Sequence, residues 1–291
     1  MTTKPGIYHR GEIAYDQIEA VNISRLVWIH KSPKHYLHAP NQTTKPMSLG
    51  TAAHSATLEL SRFVRDFAVW DVKSESGNAS PRNPKNSKWI EFQSANAGKT
   101  IITEDERDAA LEISQAVRGD RECAKILERG KAEVSIVWKH KRTGILCKGR
   151  VDWLAMERTA KLFADLKTAA DITPGVFFSK AAKLHYHERM AWYHDGIRTV
   201  YDMPESEQLE TLIMAVESGN PHDSAVYTMD EEVLEIGRVE YELLMDKLQI
   251  ALDTDTYPGI ANGARMPFVL PRWAVDDPED SDVSDIDWKA A

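Results

Sequence analysis

Two cysteines, Cys123 and Cys147, are too few for a disulfide framework, a four-cysteine zinc site or an iron–sulfur cluster. No apolar run approaches the roughly eighteen residues of a membrane-spanning helix. The first twenty residues lack an apolar stretch followed by a small-residue cleavage site, so no signal peptide is expected. With so few thiols, the expected compartment is a reducing cytoplasm. Internal repeats, a phosphate-cradling P-loop and a G-x-S-x-G elbow are missing, and neither thiol has an evident histidine partner for nucleophilic catalysis. Bases are also in deficit, at a formal charge of −9. At first sight that disfavours a nucleic-acid partner. The tail Asp276–Asp287 holds seven acids and no base, however, which leaves only −2 on the rest of the chain. Bulk charge therefore decides nothing, and Lys139, His140, Lys141, Arg142, Lys148 and Arg150 make a local basic stretch.

What is present is ordinary for a globular chain. Of the 291 residues, 42% are hydrophobic and 28% charged, enough for one large domain, or at most two, with a sizeable core. Ile18, Val21, Ile23, Leu26, Val27 and Ile29 predict a helix over 15–38, interrupted at Ser32–Pro33. A loop at 39–47 precedes a helix from Gly50, with Ala53, Leu58 and Leu60 partly inward. A Ser/Asn/Pro/Lys-rich loop over 72–88 leads to helices near 87–97 and from Glu104 to Arg129, the latter opened by Thr103 with Glu106 three residues on. After Gly130 the period changes. Val134, Ile136 and Trp138 alternate with polar neighbours, and Ile145–Leu154 and Lys161–Lys167 continue as a three-stranded meander. A long helical region over 174–201 follows, then strands at Leu209–Glu217 and Ala225–Met229. Glu231–Leu252 closes the pattern as an amphipathic helix, with Leu234, Val239, Leu243, Leu244 and Leu248 on its apolar side. This order predicts an α+β (α/β) domain with a mixed central sheet flanked by helices, over residues 1–275. Its parts are a helical N-terminal elaboration at 1–130 and a core at 131–275, with an acidic, disordered tail at 276–291.

The chemistry-bearing residues fall on the second and third strands of the meander. Asp152 lies among Val151, Trp153 and Leu154, and Asp165 and Lys167 flank Leu166. Residues two apart on a strand share a face, so Asp165 and Lys167 stand side by side, and Asp152 joins them if the strands pair. Carboxylates gathered in apolar surroundings need positive compensation, and a hard divalent cation supplies it. The residues alone leave open a surface ion pair for Asp165–Lys167 and a turn-closing role for Asp152.

The run GRVDWL, followed thirteen residues after its aspartate by DLK, resembles the PD-(D/E)xK nuclease superfamily. Within that superfamily the chain is similar to the C-terminal nuclease domain of exonuclease VIII (RecE), and more distantly to the RecB-type and lambda-exonuclease groups. The resemblance runs in order through GTAAHSATLEL, NAGKTIITEDE, AEVSIVWKHKRTGILCKGR, DLKTAADI, YHERMAWYHDG and LPRWA, across most of the chain. It implies a restriction-endonuclease-like core and Mg²⁺, with Mn²⁺ as a substitute. Asp152, Asp165, His54 and the backbone carbonyl of Leu166 would be metal ligands, and Lys167 would orient water and stabilise charge at phosphorus. Glu133 would support a ligand or Lys167, or else be an exposed strand carboxylate. Arg189 and Tyr193 stand where RecB-type nucleases carry Q-x-x-x-Y and would touch the DNA strand; the arginine departs from that pattern. His185, His187 and His194 suggest zinc, but an aspartate-rich site with one imidazole suits Mg²⁺ or Mn²⁺ better. The implied activity is 5′→3′ digestion of double-stranded DNA from its ends by a homo-oligomer, a tetrameric ring. The strands so produced would pass to a RecT-like annealing protein of a phage or prophage recombination pair. The alternatives are a single-strand exonuclease or endonuclease of the superfamily, or a DNA-binding module that keeps the fold without cleavage.

Overall fold

The computed structural model describes residues 3–9, 11–39, 48–73, 81–158 and 160–270. The acidic tail, the LPRWA run beyond Leu270 and most of the two predicted loops therefore lie outside the described residues. The chain opens with β1 (Gly6–Tyr8), a 3-10 turn at Tyr15–Gln17, β2 (Val21–Asn22), α1 (Ile23–Leu26), a second 3-10 turn at Val27–His30 and α2 (Pro33–Leu37). Then come α3 (Ser48–Leu58), α4 (Leu60–Asp66), β3 (Phe67–Trp70), α5 (Ser87–Ala95), β4 (Thr100–Thr103), α6 (Glu104–Gly119) and α7 (Arg121–Leu127). The meander is β5 (Lys131–Lys139), β6 (Leu146–Met156) and β7 (Lys161–Ala169). The remainder is α8 (Pro174–Lys183), α9 (Tyr186–Val200), β8 (Glu210–Glu217), β9 (Ser224–Met229) and α10 (Glu231–Thr254).

The fold is α+β, and its mixed central sheet is flanked by helices as the element order predicts. The main sheet runs β1-β5-β6-β7-β8-β9, with β2 alongside β6, and β3 and β4 form a separate parallel pair. All neighbours in the main sheet are antiparallel except β7–β8 and β2–β6. Parallel pairing of β7 with β8 requires a long crossover, and α8 and α9 supply it. Trp192, Ile197, Leu244 and Leu248 from α9 and α10 build one core cluster with Ile136, Trp138 and Phe163 of the sheet. Ala52, Ala53, Ala56, Ile113 and Val117 from α3 and α6 build a second with Leu166, Met214 and Val216.

Several predicted helices are broken, each for a local reason. The helix expected over 15–38 is interrupted because Val21 and Asn22 pair with Cys147 and Lys148 of β6. The Asn22 side chain then accepts the Arg25 amide as the cap of α1, and Ser32 caps α2 ahead of Pro33. The apolar periodicity was nonetheless informative, since Ile18, Ile23, Leu26 and Ile29 are buried. Asp120 ends the helix that began at Thr103 and starts α7, accepting the amides of Glu122 and Cys123. The capping box at Thr103 and Glu106 is present. The region 174–201 divides at Leu184–His185, where His185 adopts φ 57° and redirects the chain into α9. The N-terminal part is less purely helical than expected, because it contributes β1 to β4. On α10 the buried stripe is Leu234, Tyr241, Leu244, Met245 and Leu248, whereas Val239 and Leu243 are exposed. Leu60, expected partly inward, is also exposed.

Candidate active site

A fork in the sheet creates the site. β6 and β7 pair from Met156↔Lys161 to Trp153↔Ala164, and there the pairing stops. The same edge of β6 is taken up again by β2 only at Cys147 and Lys148. Asp152 and Asp165 sit one step beyond the last β6–β7 pair, facing each other across the opening. In place of a ladder hydrogen bond, the Leu166 peptide N–H donates to Asp152 Oδ2 at 2.9 Å. On the other side of β6, the register Ala132↔Trp153 and Val134↔Val151 sets Glu133 beside Asp152. Three acids, Glu133, Asp152 and Asp165, thus form one row across three adjacent strands.

Glu133 has φ 54°, a left-handed conformation uncommon outside glycine that costs on the order of 1–3 kcal/mol. Strict alternation would send Ala132 and Val134 to the same side. Instead Val134 packs in the cluster under α9, and Ala132 packs against the cluster under α3. The strand changes face at Glu133, and its buried carboxylate turns into the site.

Three cationic groups meet this row, and Lys148 stands behind them on the same strand as Arg150. His54, on α3, places Nε2 2.9 Å from Asp152 Oδ2 and Nδ1 3.4 Å from Glu133 Oε1. Arg150 Nε is 3.0 Å from Glu133 Oε2. Lys167 Nζ pairs with Asp165 Oδ2 and lies 5.4 Å from the centre of the Tyr186 ring. Lys148 donates to the carbonyls of Tyr15 and Ile18 at 2.9 and 2.8 Å, tying the first 3-10 turn to β6. The Tyr15 ring takes both cations of that strand, with Lys148 Nζ at 4.4 Å and the Arg150 guanidinium at 4.9 Å from its centre.

The charges set the protonation states. Burial alone would lower the His54 pKa, but the charge and hydrogen bond of Asp152, with Glu133 behind them, outweigh it and lift the imidazole to about 9. Desolvation acts on the half-buried Asp152 too, yet His54, Lys167 and the Leu166 amide hold its carboxyl well below the usual range. Asp165 moves the other way. Burial and repulsion from Asp152 raise it, against the pull of Lys167. Lys167 is raised despite its burial, because two carboxylates favour the ammonium form. Adjacent acids pushed apart in this way are a signature of catalytic pairs.

The row forms one wall of a cleft of about 810 Å³. Arg189 and Tyr193, one helical turn apart on α9, line it together with Tyr186, Tyr15, Asn22 and Ser24. Arg189 Nη1 lies 3.4 Å from Ser24 Oγ, and its Nε is buried with no hydrogen-bond partner among the described residues. Tyr193 lies flat enough on β6 that a Cβ at Gly149 would come within 2.8 Å of its ring. Trp192 is in the core, its Nε1 donating to the Lys148 carbonyl at 3.1 Å.

His54, Glu133, Asp152, Asp165, Lys167, Arg189 and Tyr193, which the resemblance assigns to the site, all line this cleft; Leu166, expected to offer its carbonyl, is held there by its amide. One regrouping is evident. Ligand atoms of His54, Glu133 and Asp152 lie within 4.8 Å of one another and could hold a metal ion, while Asp165 turns to Lys167. Two carboxylates of the row with one imidazole suit a hard divalent ion. His185, His187 and His194 do not assemble with one another. They meet Glu188, Glu240 and Asp195 respectively. Sequence reasoning missed Arg150, although its alternation with Lys148 and Asp152 on one strand was a usable signal. Nothing local pointed to Tyr15 or Ser24.

Residues 22–266 match the family described as a PDDEXK-like domain of unknown function (DUF3799). No curated protein matches the chain. Among solved structures, the crystal structure named "Putative exonuclease" from Eubacterium rectale is similar at TM-score 0.52 and 13% identity, covering 89% of this chain and 94% of that one. At that identity the likeness speaks for the fold alone. A crystal structure named SSO0001 overlaps 46% of this chain and 56% of its own at 14% identity, with a TM-score of 0.26, too slight a likeness to bear on the site.

Proposed function

We propose that this chain, which belongs to the family of PDDEXK-like domains, is a divalent-metal-dependent deoxyribonuclease that hydrolyses phosphodiester bonds. The observation that carries the reading is the row Glu133–Asp152–Asp165 at the fork of β6 and β7, joined by His54 and Lys167 on the wall of a cleft. Arg189 and Tyr193 face that same cleft. The resemblance to exonuclease VIII supports a finer version: 5′→3′ digestion of double-stranded ends by a homo-oligomeric ring, feeding a RecT-like annealing protein.

Phosphodiester hydrolysis is among the slowest uncatalysed reactions, and an enzyme must supply on the order of 20 kcal/mol. His54, Glu133 and Asp152 would hold Mg²⁺ or Mn²⁺, with Asp165 able to join them by turning from Lys167. Such an ion, when bound, polarises phosphoryl oxygens and makes water a better nucleophile at neutral pH. The chain's own groups do the rest. Arg189, which lines the cleft, offers its guanidinium to a phosphate oxygen in a charge-assisted hydrogen bond. Tyr193 supports the strand beside it by ring contact or through its hydroxyl. Lys167 stays an ammonium, so it orients water and meets negative charge developing at phosphorus, and does not act as a base. Asp165 and the Tyr186 ring hold that ammonium in place.

The test is digestion of end-labelled linear duplex with Mg²⁺ by wild type and Asp165→Ala, beside covalently closed circular DNA. Loss of activity in the variant, with the circle left intact, supports an exonuclease. Cleavage of the circle indicates an endonuclease. Equal digestion by both proteins, or none by wild type, overturns the reading.

A further inference from the structure

Beyond the acids of the cleft, a second group of donor side chains converges where the 3-10 turn Val27–His30 meets α9 and α10. His30 Nε2 lies 2.9 and 2.8 Å from the two oxygens of Glu188. His185 Nδ1 pairs with Glu188 Oε1, and Glu240 brings a carboxylate oxygen, so that one ligand atom from each of the four lies within 4.8 Å of the others. The His30 and His185 rings stack at 4.4 Å and 16°, which presents their nitrogens side by side. Glu188 is fully buried.

The surrounding chain is shaped for this convergence. His185 opens α9 in the left-handed region at φ 57°, which brings its ring back over Glu188 three residues on. A Cβ at Gly237 would come within 2.3 Å of the His187 carbonyl, so only glycine lets α10 approach closely enough to deliver Glu240 one turn later. His187 Nε2 lies 3.0 Å from Glu240 Oε2 and fixes that carboxylate from outside the group. An orienting partner of this kind is the usual companion of a metal ligand.

Two carboxylates side by side, one of them without access to water, require a proton or a cation between them. Two imidazole nitrogens and two carboxylate oxygens are a four-donor set for a borderline transition ion and a poor one for Mg²⁺. Bonds of about 2.0–2.1 Å in a tetrahedron put donors roughly 3.3 Å apart, between the 2.8–2.9 Å of the His30–Glu188 contact and the 4.8 Å that bounds the set. We propose that His30, His185, Glu188 and Glu240 hold a structural divalent transition-metal ion, Zn²⁺ by donor chemistry, separate from any ion of the cleft. The ion joins the turn ending at residue 30 to α9 and α10. Between His185 and His187 stands Tyr186, a lining residue of the cleft. The site therefore also steadies that wall.

The experiment is titration of Zn²⁺ and Co²⁺ into the tag-free, chelator-treated full chain carrying Asp152→Ala and Asp165→Ala, which disables the cleft site and needs no nuclease activity. Expected are one equivalent of tightly held metal, a raised melting temperature and the visible bands of tetrahedral Co²⁺. His30→Ala with His185→Ala abolishes all three. Glu240→Gln and His187→Gln, on half-exposed and outlying groups, weaken binding about 10–100-fold and keep the assignment testable if the double variant fails to fold. No saturable uptake by the parent protein overturns the proposal and leaves the nuclease reading standing. So does uptake unchanged in Glu240→Gln and His187→Gln.

Discussion

The two groups of acids and imidazoles, one on the sheet and one between helices, differ in what balances their carboxylates. On the sheet, Glu133 and Asp165 pair with Arg150 and Lys167, cations that keep their charge at any ordinary pH. Among the helices, the ion pairs of Glu188 and Glu240 within the described residues are all with imidazoles. The first group, in which His54 also pairs with Asp152, is open to an 810 Å³ cleft that an anionic substrate can enter. The second lies outside the lining of that cleft, around the buried Glu188, and its compensation depends on protons or a metal ion. The difference teaches that burial of acids alone does not mark a reactive site. Lysine and arginine beside an open cleft mark one, and imidazoles alone around a buried glutamate mark a structural clasp.

Four measurements sharpen or break that contrast. The largest effect falls on the sheet: Lys167→Met lowers the rate of DNA hydrolysis by about 10²–10³-fold, since it removes a fixed charge aimed at the reacting group. Circular dichroism unchanged from wild type confirms that the loss is chemical, and a rate within threefold of wild type breaks the contrast. Among the helices, Glu188→Gln removes the charged centre of the clasp and destabilises the fold by about 1.5–3 kcal/mol in urea unfolding. An unaltered midpoint would show that the clasp carries no strain or strength.

The third measurement uses pH. The folded pKa of His54, about 9, lies above the ordinary value of 6.5. Its contribution to stability in the metal-free protein is therefore complete below pH 6.5 and is lost as pH rises through 9. A metal ion in the cleft must displace that proton, so its affinity rises with pH over the same window, by up to about tenfold per unit. Calorimetry in buffers of different ionisation enthalpy should register close to one proton released per ion at pH 7. His54→Gln should abolish that release. The smallest effect belongs to Arg150→Ala. Arg150 is exposed and the buried Glu133 keeps its contact with His54, so the loss is about 1 kcal/mol or less and the melting temperature barely changes. The rate falls only severalfold as Glu133 loosens.

The meander was legible because alternation of Val134, Ile136 and Trp138 is a local pattern that burial imposes on any half-buried strand. Asp152, Asp165 and Lys167 were legible for the same reason, since their faces follow from strand period once the strands are paired. Arg189 and Tyr193 were placed on one helix face by their spacing of four. The breaks at Asn22, Asp120 and His185 escaped because apolar periodicity continues through them. Capping side chains and a left-handed residue decide such stops, and their weight shows only when the neighbouring element is in place. Glu133 was ambiguous in the sequence because its φ of 54° overrides alternation, and no residue next to it announces that.

The sequence by itself settled the order of strands and helical regions from Gly130 onward and the acids and lysine that the meander carries, because those properties depend on residues within a few positions of one another. Tertiary structure alone decided where β6 and β7 part, which carboxylates join His54, and that His30 meets Glu188 across 158 positions of chain. Those meetings arise from helices and strands seated by two separate hydrophobic clusters, and that packing is a property of the whole molecule.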